Sequence, residues 1–285
     1  MNANTYQLLP CGLPQVADYR ALVTTAWFKS IEEYSDAFLR RNVAALRDYQ
    51  EKWVKDPLHQ WSRQWEYPFV IGRAMSGLRG HPGTSPNRAI LDAGAGVTFL
   101  PYYLAEQLPE VELTCLDYDP AWATVYEQTN RTAARPIRFV ADDLRRLPFP
   151  DASFDVVYCV SVLEHTKAYG DIVGEFRRVL RPGGTVIITF DISIDGDSDI
   201  PPQKAHHLLD ILFRQFPETP PSEYSDLPAS VTAYGVLTTR AVLAIDVRLL
   251  PWTFPQPSLV RRLLGLGVRS DSVRNLTVFC HEFSG

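Results

Sequence analysis

The spacing of apolar residues divides the chain near residue 86. The region from about Val16 to Met75 is rich in aromatic residues and is predicted to be helical, because in "SIEEYSDAFLRRNVAALRDYQEKW" apolar residues recur every three to five positions, which is typical of amphipathic helices. Ser30 precedes one helical stretch that has acids in its first turn, and it is predicted to cap that helix. The stretch Ser76–Asn87 is rich in glycine and proline and is predicted to be a loop. We therefore expect an N-terminal helical cap over residues 1–85.

Beyond residue 88 short β-rich runs alternate with helical segments. The predicted strands are "RAILDAG", "VELTCLDYD", "IRFVAD", "FDVVYCVS" and "GTVIITFDI". The predicted helices are "FLPYYLAEQLP", "PAWATVYEQTN" and "AYGDIVGEFRRVL". Because the strands are apolar and rich in β-branched residues, this alternation favours an α/β fold with a parallel sheet covered on both faces.

The alternation stops after Asp191. A polar loop leads to an amphipathic helix, "KAHHLLDILFRQF", and then to a proline-rich connection. Two further helical candidates, "LTTRAVLAIDVRLL" and "PSLVRRLLGLG", precede a last strand, "NLTVFCHEF". Insertions at this place in α/β folds commonly bind substrates. Residues 86–285 are thus predicted to be a core domain with a substrate-lid insertion at about residues 192–260.

Composition and charge restrict the possible partners. The net charge of −5 argues against a general nucleic-acid binder, which normally has a basic face. The apolar runs are shorter than the roughly 20 residues of a membrane helix, and the first residues do not resemble a signal peptide. The four cysteines lack metal-ligand or CxxC spacing, which favours buried thiols in a reducing compartment. We expect a cytoplasmic monomer or homodimer with no metal, membrane or nucleic-acid partner.

The stretch "AILDAGAGVTFLP" is the clearest candidate for ligand binding. Gly94 and Gly96 lie between a predicted strand and a predicted helix, where a ligand can approach the backbone closely. A nicotinamide-binding turn needs a third glycine where Phe99 stands, and the lysine of a phosphate-binding loop is absent. Asp92 would repel a pyrophosphate at close range. The turn therefore suits an uncharged or cationic ligand.

Two further acids follow the next strands. Asp117 ends the second strand, where a carboxylate can accept both ribose hydroxyls. Asp143 lies just beyond the third strand, where it could accept a hydrogen bond from an adenine amine. The motifs "ILDAGAG", "LDYDP", "DDLRRLPFPDASFDVVYCVSVLEH" and "RVLRPGGTVIITF", within Arg88–Asp191, resemble those of class I S-adenosylmethionine-dependent methyltransferases. The nearest resemblance is to the type-11 family, which includes the ubiquinone and menaquinone methyltransferases.

This resemblance implies a fold, a cofactor and a set of contacts. The fold is a doubly wound, Rossmann-like sheet of seven strands with the last one antiparallel, and the cofactor is S-adenosylmethionine, with S-adenosylhomocysteine as product. The residues implied near the methionine part are Asp92, Gly94, Ala95, Gly96 and, through its carbonyl, Val160. The residues implied near the adenosine are Asp117 on the ribose, Tyr118 on the adenine face, and Asp143 and Leu144 on the adenine edge. Asp142 stands where the family often has glycine, so it is a second candidate for the adenine edge.

Side chains outside these motifs complete the predicted site. In "HQWSRQWEYPFV", Arg63 is predicted to pair with the cofactor carboxylate and Tyr67 to cover the cofactor; the alternative is an aromatic cluster that packs the cap on the sheet. His165, beside Glu164, and His207 on the inserted helix are the candidate catalytic bases, with neighbouring His206 and His81 as further candidates. For His165 the alternative is structural hydrogen bonding. For His206 and His207 it is a solvated position on the helix.

We expect transfer of a methyl group to an oxygen or nitrogen of a small, partly apolar molecule, because the caps supply many apolar side chains. Two alternatives stay open. One is a protein of this fold that binds S-adenosylmethionine but performs other chemistry, as a cyclase or regulatory partner. The other is a nicotinamide-dependent oxidoreductase, which Asp92 and Phe99 disfavour.

Overall fold

The computed structural model describes residues 6–53, 55–80, 88–196, 200–246, 249 and 274–285. The helices in these ranges are α1 Val16–Val23, α2 Ala26–Arg41, α3 Val43–Lys52, α4 Arg63–Gly80, α5 Leu100–Gln107, α6 Trp122–Asn130, α7 Tyr169–Val179, α8 Pro202–Gln215, α9 Leu227–Ser230 and α10 Thr239–Leu243. The strands are β1 Arg88–Ala93, β2 Val111–Asp117, β3 Arg138–Ala141, β4 Phe154–Val160, β5 Leu180–Ser193 and β6 Leu276–Ser284.

The strands form one sheet in the order β3-β2-β1-β4-β5-β6. The pairs from β3 to β5 are parallel, and β6 runs antiparallel to β5. These pairings confirm the predicted doubly wound α/β sheet with an antiparallel last strand; the described residues hold six strands, where seven were predicted. Since the strand order reverses between β1 and β4, a crevice is expected there, at the carboxyl ends of the strands.

Alternate residues of β1 belong to two apolar layers, one on each face of the sheet. Ile90 belongs to the layer that includes residues of α1 to α6. Leu91 belongs to the layer that includes residues of α7 and α8. The N-terminal helices therefore share an apolar core with the sheet and cover the face opposite to α7 and α8.

The helical prediction for the N-terminal region is confirmed, but the predicted N-cap residue of the helix, Ser30, is wrong. Helix α2 begins at Ala26, and the Thr25 hydroxyl accepts the hydrogen bond from the Phe28 amide at 3.0 Å. Ser30 lies inside the helix and donates to the Trp27 carbonyl at 2.7 Å. The helix starts one turn earlier than predicted because a threonine was available to cap it there.

The predicted loop at Ser76–Asn87 begins too early. Helix α4 continues to Gly80, because Ala74, Met75 and Leu78 keep a helical spacing and are buried. Residues 81–87, including His81, lie outside the described residues.

The predicted insertion helix is confirmed as α8, whose Ala205, Leu208, Leu209 and Leu212 are buried. Of "LTTRAVLAIDVRLL", the segment Thr239–Leu243 is helical, while "PSLVRRLLGLG" lies outside the described residues. Among the helices that the structure describes, none has the length and apolar character needed to cross a membrane.

Replacing Leu209 by alanine tests the packing of α8. Leu209 is completely buried, so Leu209→Ala should lower the free energy of unfolding by about 2–5 kcal/mol through lost apolar burial and the resulting cavity. Urea denaturation measures this change. The matched control is Leu8→Ala: Leu8 is 53% exposed, and its removal should cost less than about 0.5 kcal/mol. Equal effects of the two variants would contradict the packing of α8.

Candidate functional site

The glycine-rich turn after β1 needs glycine at two positions. Gly94 has φ +82° and Gly96 has φ +51°, values that side-chain-bearing residues rarely adopt. A Cβ atom on Gly94 would lie 2.6 Å from the Val162 side chain, and one on Gly96 would lie 2.5 Å from the Tyr49 hydroxyl. The turn therefore combines left-handed backbone with close approach of neighbouring side chains.

Hydrogen bonds join this turn to the end of β2. The amides of Gly94 and Ala95 donate to the Leu116 carbonyl at 2.8 and 3.0 Å. The Gly96 amide donates to the Asp117 carboxylate at 2.9 Å, and the Asp119 amide donates to its other oxygen at 3.1 Å. A carboxylate oxygen has more than one lone pair, so Asp117 can still accept hydroxyl groups. The structure thus brings the turn and Asp117 together, as the sequence predicts.

The end of β3 adds residues to the same edge of the sheet. The Asp142 amide donates to the Asp117 carbonyl at 3.0 Å. Asp143 pairs with Arg145, whose guanidinium lowers the pKa of this carboxyl to about 2. Tyr118 is 71% exposed, and Leu144 is half-buried. The adenine contacts of these residues stay predictions.

Asp92 is a buried acid at the carboxyl end of β1. It is 4% exposed, and its carboxylate accepts a hydrogen bond from the Tyr158 hydroxyl at 2.9 Å. Burial raises the pKa of this carboxyl to about 8, so it is largely protonated at neutral pH. A cationic group placed beside Asp92 would favour its ionised form.

Arg63 and Tyr67 lie beside the site on α4. Arg63 pairs with Glu66 and donates to the Ser161 hydroxyl at 2.6 Å. Tyr67 is buried and meets the Phe99 ring edge-on, with 5.4 Å between ring centroids. Arg63 is thus already engaged within the protein, and its pairing with a cofactor carboxylate stays a prediction, as does the covering role of Tyr67.

A buried polar cluster lies at the carboxyl ends of β4 and β5; we call it the β4–β5 cluster. Its members are Arg63, Glu66, Ser161, Glu164, Thr189 and Asp191. The Glu66 carboxylate accepts hydrogen bonds from Ser161 at 2.7 Å and from Thr189, and it pairs with Arg63. Ser161 follows Val160, the last residue of β4, with φ +50°. One oxygen of Glu164 accepts from the Asp191 amide at 3.3 Å.

Sequence reasoning missed most of this cluster. It named Arg63 and noted Glu164 only as the neighbour of His165. The available signal was Glu66, an acid in the otherwise apolar and aromatic stretch "WEYPFV", because an acid buried among such residues needs polar partners. Ser161, Thr189 and Asp191 gave no comparable signal.

The candidate histidines lie at different places. His165 is exposed at the end of the 3₁₀ turn Leu163–His165. His207 is exposed on α8, while His206 stacks on Tyr224 at 4.8 Å between centroids. The catalytic roles of His165 and His207 stay predictions.

One group of possible metal ligands, Asp36, Asp56 and His59, is found in the described ranges. The two ring nitrogens of His59 contact Asp56 at 2.6 Å and Glu32 at 2.9 Å. Hydrogen bonding to Asp56 raises the pKa of His59 to about 9. A metal ion would have to displace a bound proton from this ring, so the group is better explained as a structural ion-pair cluster.

Comparison with known proteins identifies the fold around the glycine turn. Residues 91–188 match a family model described as "Methyltransferase domain". This segment of the chain is thus similar to a methyltransferase domain. This match confirms the type-11 resemblance of the sequence motifs, and such a domain implies S-adenosylmethionine as the cofactor.

The related proteins differ in their named substrates. A demethylmenaquinone methyltransferase of Deinococcus radiodurans is 36% identical over 36% of this chain and 43% of its own length. A sterol 24-C-methyltransferase of Gibberella zeae is 32% identical over 40% of this chain and 30% of its own. A tRNA U34 carboxymethyltransferase of Shewanella pealeana is 28% identical over 64% of this chain and 55% of its own length. The chain therefore spans less than two thirds of each relative, and these matches do not fix the methyl acceptor.

Replacing Gly96 by alanine tests the contact between the glycine-rich turn and α3. Gly96→Ala should lower the free energy of unfolding by about 1–3 kcal/mol through backbone strain alone, with an added clash against the Tyr49 hydroxyl. Adding Tyr49→Phe should restore the part of the lost unfolding free energy that is due to the clash. Urea denaturation of the two single variants and the double variant measures this coupling.

Gly174→Ala is the matched control. A Cβ atom at Gly174, inside α7, has no atom within 4 Å, and alanine favours a helix over glycine by about 1 kcal/mol. This variant should be as stable as the parent or more so. A Gly96→Ala variant that behaves like the control would contradict the strained turn.

The raised pKa of Asp92 predicts a pH dependence of stability. The folded state keeps a proton on this carboxyl up to about pH 8, whereas the unfolded chain releases it near about pH 4. The resulting stabilisation is complete below about pH 4 and is lost as the pH rises to about 8. Asp92→Asn should therefore flatten the decline of the unfolding free energy by up to about 1.4 kcal/mol per pH unit.

Urea denaturation between about pH 5 and about pH 8 measures that slope. Asp18→Asn is the control, because Asp18 is exposed on α1 and its amide variant should keep the parent slope. Identical slopes for Asp92→Asn and the parent would show that Asp92 does not retain its proton in the folded state.

Proposed function

We propose that the chain is an S-adenosylmethionine-dependent methyltransferase that acts on an oxygen or nitrogen of a small, partly apolar molecule. The observation that carries this proposal is the junction of the glycine turn and Asp117, where the Gly96 amide lies 2.9 Å from the carboxylate. This junction lies within the matched domain, beside the point where the strand order reverses.

The residues at this edge suit the parts of the cofactor. Asp117 is buried and can accept the ribose hydroxyls. Asp92 suits the cationic amino group, since its carboxyl is buried and a neighbouring cation would favour ionisation. Gly94 and Gly96 leave the backbone without side chains at the turn, and Tyr118 supplies an exposed ring for the adenine face. When bound, the cofactor supplies an electrophilic methyl group on a sulfonium.

Side chains around the turn support a small, partly apolar acceptor. Tyr49, Tyr67 and Phe99 are buried near the glycine turn, and apolar and aromatic walls are typical of small-molecule sites. The net charge of −5 favours such an acceptor over a nucleic acid. We also infer a cytoplasmic location, which is supported by four cysteines without disulfide partners in the structure, three of them buried.

Thermal unfolding with added ligands tests the cofactor site. At about 100 times its dissociation constant, S-adenosylhomocysteine should stabilise the chain by about 2.7 kcal/mol and raise Tm by roughly 5 °C or more. NAD at the same concentration should leave Tm unchanged. Stabilisation by NAD alone would reject the proposal in favour of an oxidoreductase.

Asp117→Asn tests the ribose contact within the same experiment. Both carboxylate oxygens of Asp117 accept backbone amides, so an asparagine NH₂ group would face a donor, and S-adenosylhomocysteine affinity should fall at least about tenfold. Asp18→Asn, at an exposed position, should bind like the parent. Formation of S-adenosylhomocysteine from S-adenosylmethionine, followed with small amine and phenol acceptors, separates methyl transfer from a cyclase or regulatory role.

A further inference from the structure

The β4–β5 cluster contains more acids than bases. It holds the carboxyl groups of Glu66, Glu164 and Asp191 and the single guanidinium of Arg63, and the three acids are each less than a tenth exposed. Because Arg63 pairs with Glu66, ionisation of Glu164 would place a further negative charge in this cluster. Buried charges of one sign are costly unless a partner neutralises them, so the cluster is suited to a ligand that brings positive charge or hydrogen-bond donors.

Both oxygens of the Glu66 carboxylate have hydrogen-bond partners within the protein. One of its oxygens accepts from Ser161 and Thr189, and the other pairs with Arg63. This carboxylate therefore holds α4 against the ends of β4 and β5.

Glu164 differs from Glu66 in this respect. Its Oε1 accepts the Asp191 amide at 3.3 Å, but its Oε2 is buried and lacks a hydrogen-bond partner among the residues that the structure describes. The residue is 6% exposed. A buried carboxylate oxygen without a partner costs free energy, and a donor from a bound molecule would remove that cost.

The position of Glu164 places it next to the proposed cofactor site. It lies in the turn that follows β4, and Val162 of the same segment packs against the backbone of Gly94. Strands β1 and β4 are neighbours across the point where the strand order reverses. The glycine turn and Glu164 thus follow the carboxyl ends of these two neighbouring strands, where the crevice is expected.

We propose that the methyl acceptor is an amine and that its nitrogen binds Oε2 of Glu164, which then removes a proton from it. This proposal rests on the proposed methyltransferase function. An ammonium group would balance the negative charge of the ionised Glu164 carboxylate, a hydroxyl group would not, and an acceptor carboxylate would add another negative charge.

The proposed step transfers one proton to Glu164 and forms one N–C bond while one C–S bond breaks. The ammonium of the acceptor transfers one N–H proton to the Glu164 carboxylate, which leaves a lone pair on the nitrogen. That lone pair forms the new N–C bond as the methyl carbon's bond to sulfur breaks, and the electron pair of that bond stays on the sulfur. The products are the methylated ammonium, a neutral sulfide and a protonated Glu164, which later returns its proton to solvent.

The protonation of Glu164 supports this role. Burial, together with the nearby charge of Glu66, raises the pKa of the Glu164 carboxyl to about 8, although Arg63 acts in the opposite direction. The other titratable groups that interact with it electrostatically include Cys159 on β4 and Tyr169 on α7, and Asp191 on β5 donates its amide to it. Glu164 is therefore largely protonated at neutral pH in the free protein, and binding of an ammonium should release that proton.

Calorimetric titration of the full chain saturated with S-adenosylhomocysteine tests the proposal. The probes are 2-phenylethylamine, 2-phenylethanol and phenylacetate, which share an apolar ring and differ in the polar group. The amine should bind at least about tenfold more tightly than the other two, a difference of about 1.4 kcal/mol. Titrations in phosphate and in Tris should also show close to one proton released per amine bound at about pH 7.

Glu164→Gln is the test variant. Glutamine keeps the size of the side chain and can still accept the Asp191 amide, so the fold and S-adenosylhomocysteine affinity should be retained. Amine affinity should fall about tenfold, and proton release should fall to nearly zero, a change that a merely structural role would not produce. Glu127→Gln, at a side chain 69% exposed on α6, should match the parent in every titration.

The outcomes separate this proposal from the function on which it rests. If the parent chain binds S-adenosylhomocysteine but the amine binds no better than the alcohol, or not at all, the amine site is rejected and the methyltransferase proposal stands. Unchanged proton release in Glu164→Gln also rejects the amine site. If S-adenosylhomocysteine does not bind, both proposals fall together.

Discussion

The hydrogen bond from the Gly96 amide to the Asp117 carboxylate is the contact on which the rest of the site depends. It requires the left-handed backbone of Gly96, and it joins the ends of β1 and β2. The carbonyl of the same aspartate accepts the Asp142 amide from β3. Three strand ends are therefore fixed relative to one another by groups around one residue, which is how a binding surface can be formed before a ligand arrives.

A second constraint joins the N-terminal helices to the same edge. Glu66 is completely buried and pairs with the half-buried Arg63, and the hydrogen bonds that Glu66 accepts from Ser161 and Thr189 connect α4 with the ends of β4 and β5. Removal of one member of such a pair typically costs about 3–5 kcal/mol, because the other charge is left buried without compensation. Helix α4 and the sheet are therefore expected to behave as one unit.

Local sequence patterns predicted the sheet and the glycine-rich turn because these features depend on residues close together in the chain. Gly94, Gly96 and Asp117 each lie at a strand end that the apolar runs define. The β4–β5 cluster could not be predicted in this way, since Glu66 meets Thr189 across 123 positions of the chain. The error at Ser30 has a local cause, because Thr25 offered an equally suitable cap one turn earlier. Long-range polar pairing was thus the part that the sequence pattern did not reveal.

The position of α3 has a kinetic consequence. The Tyr49 hydroxyl lies against Gly96, and Lys52 pairs with Asp119 at 2.7 Å, two residues after the proposed ribose ligand Asp117. A ligand that reached the turn from this side would have to displace α3, and such an opening step would make its association slower than diffusion. Its apparent affinity would be its intrinsic affinity multiplied by the fraction of chains in which α3 is open. The same helix would slow dissociation once it had closed over the ligand, which favours a long residence time over rapid exchange.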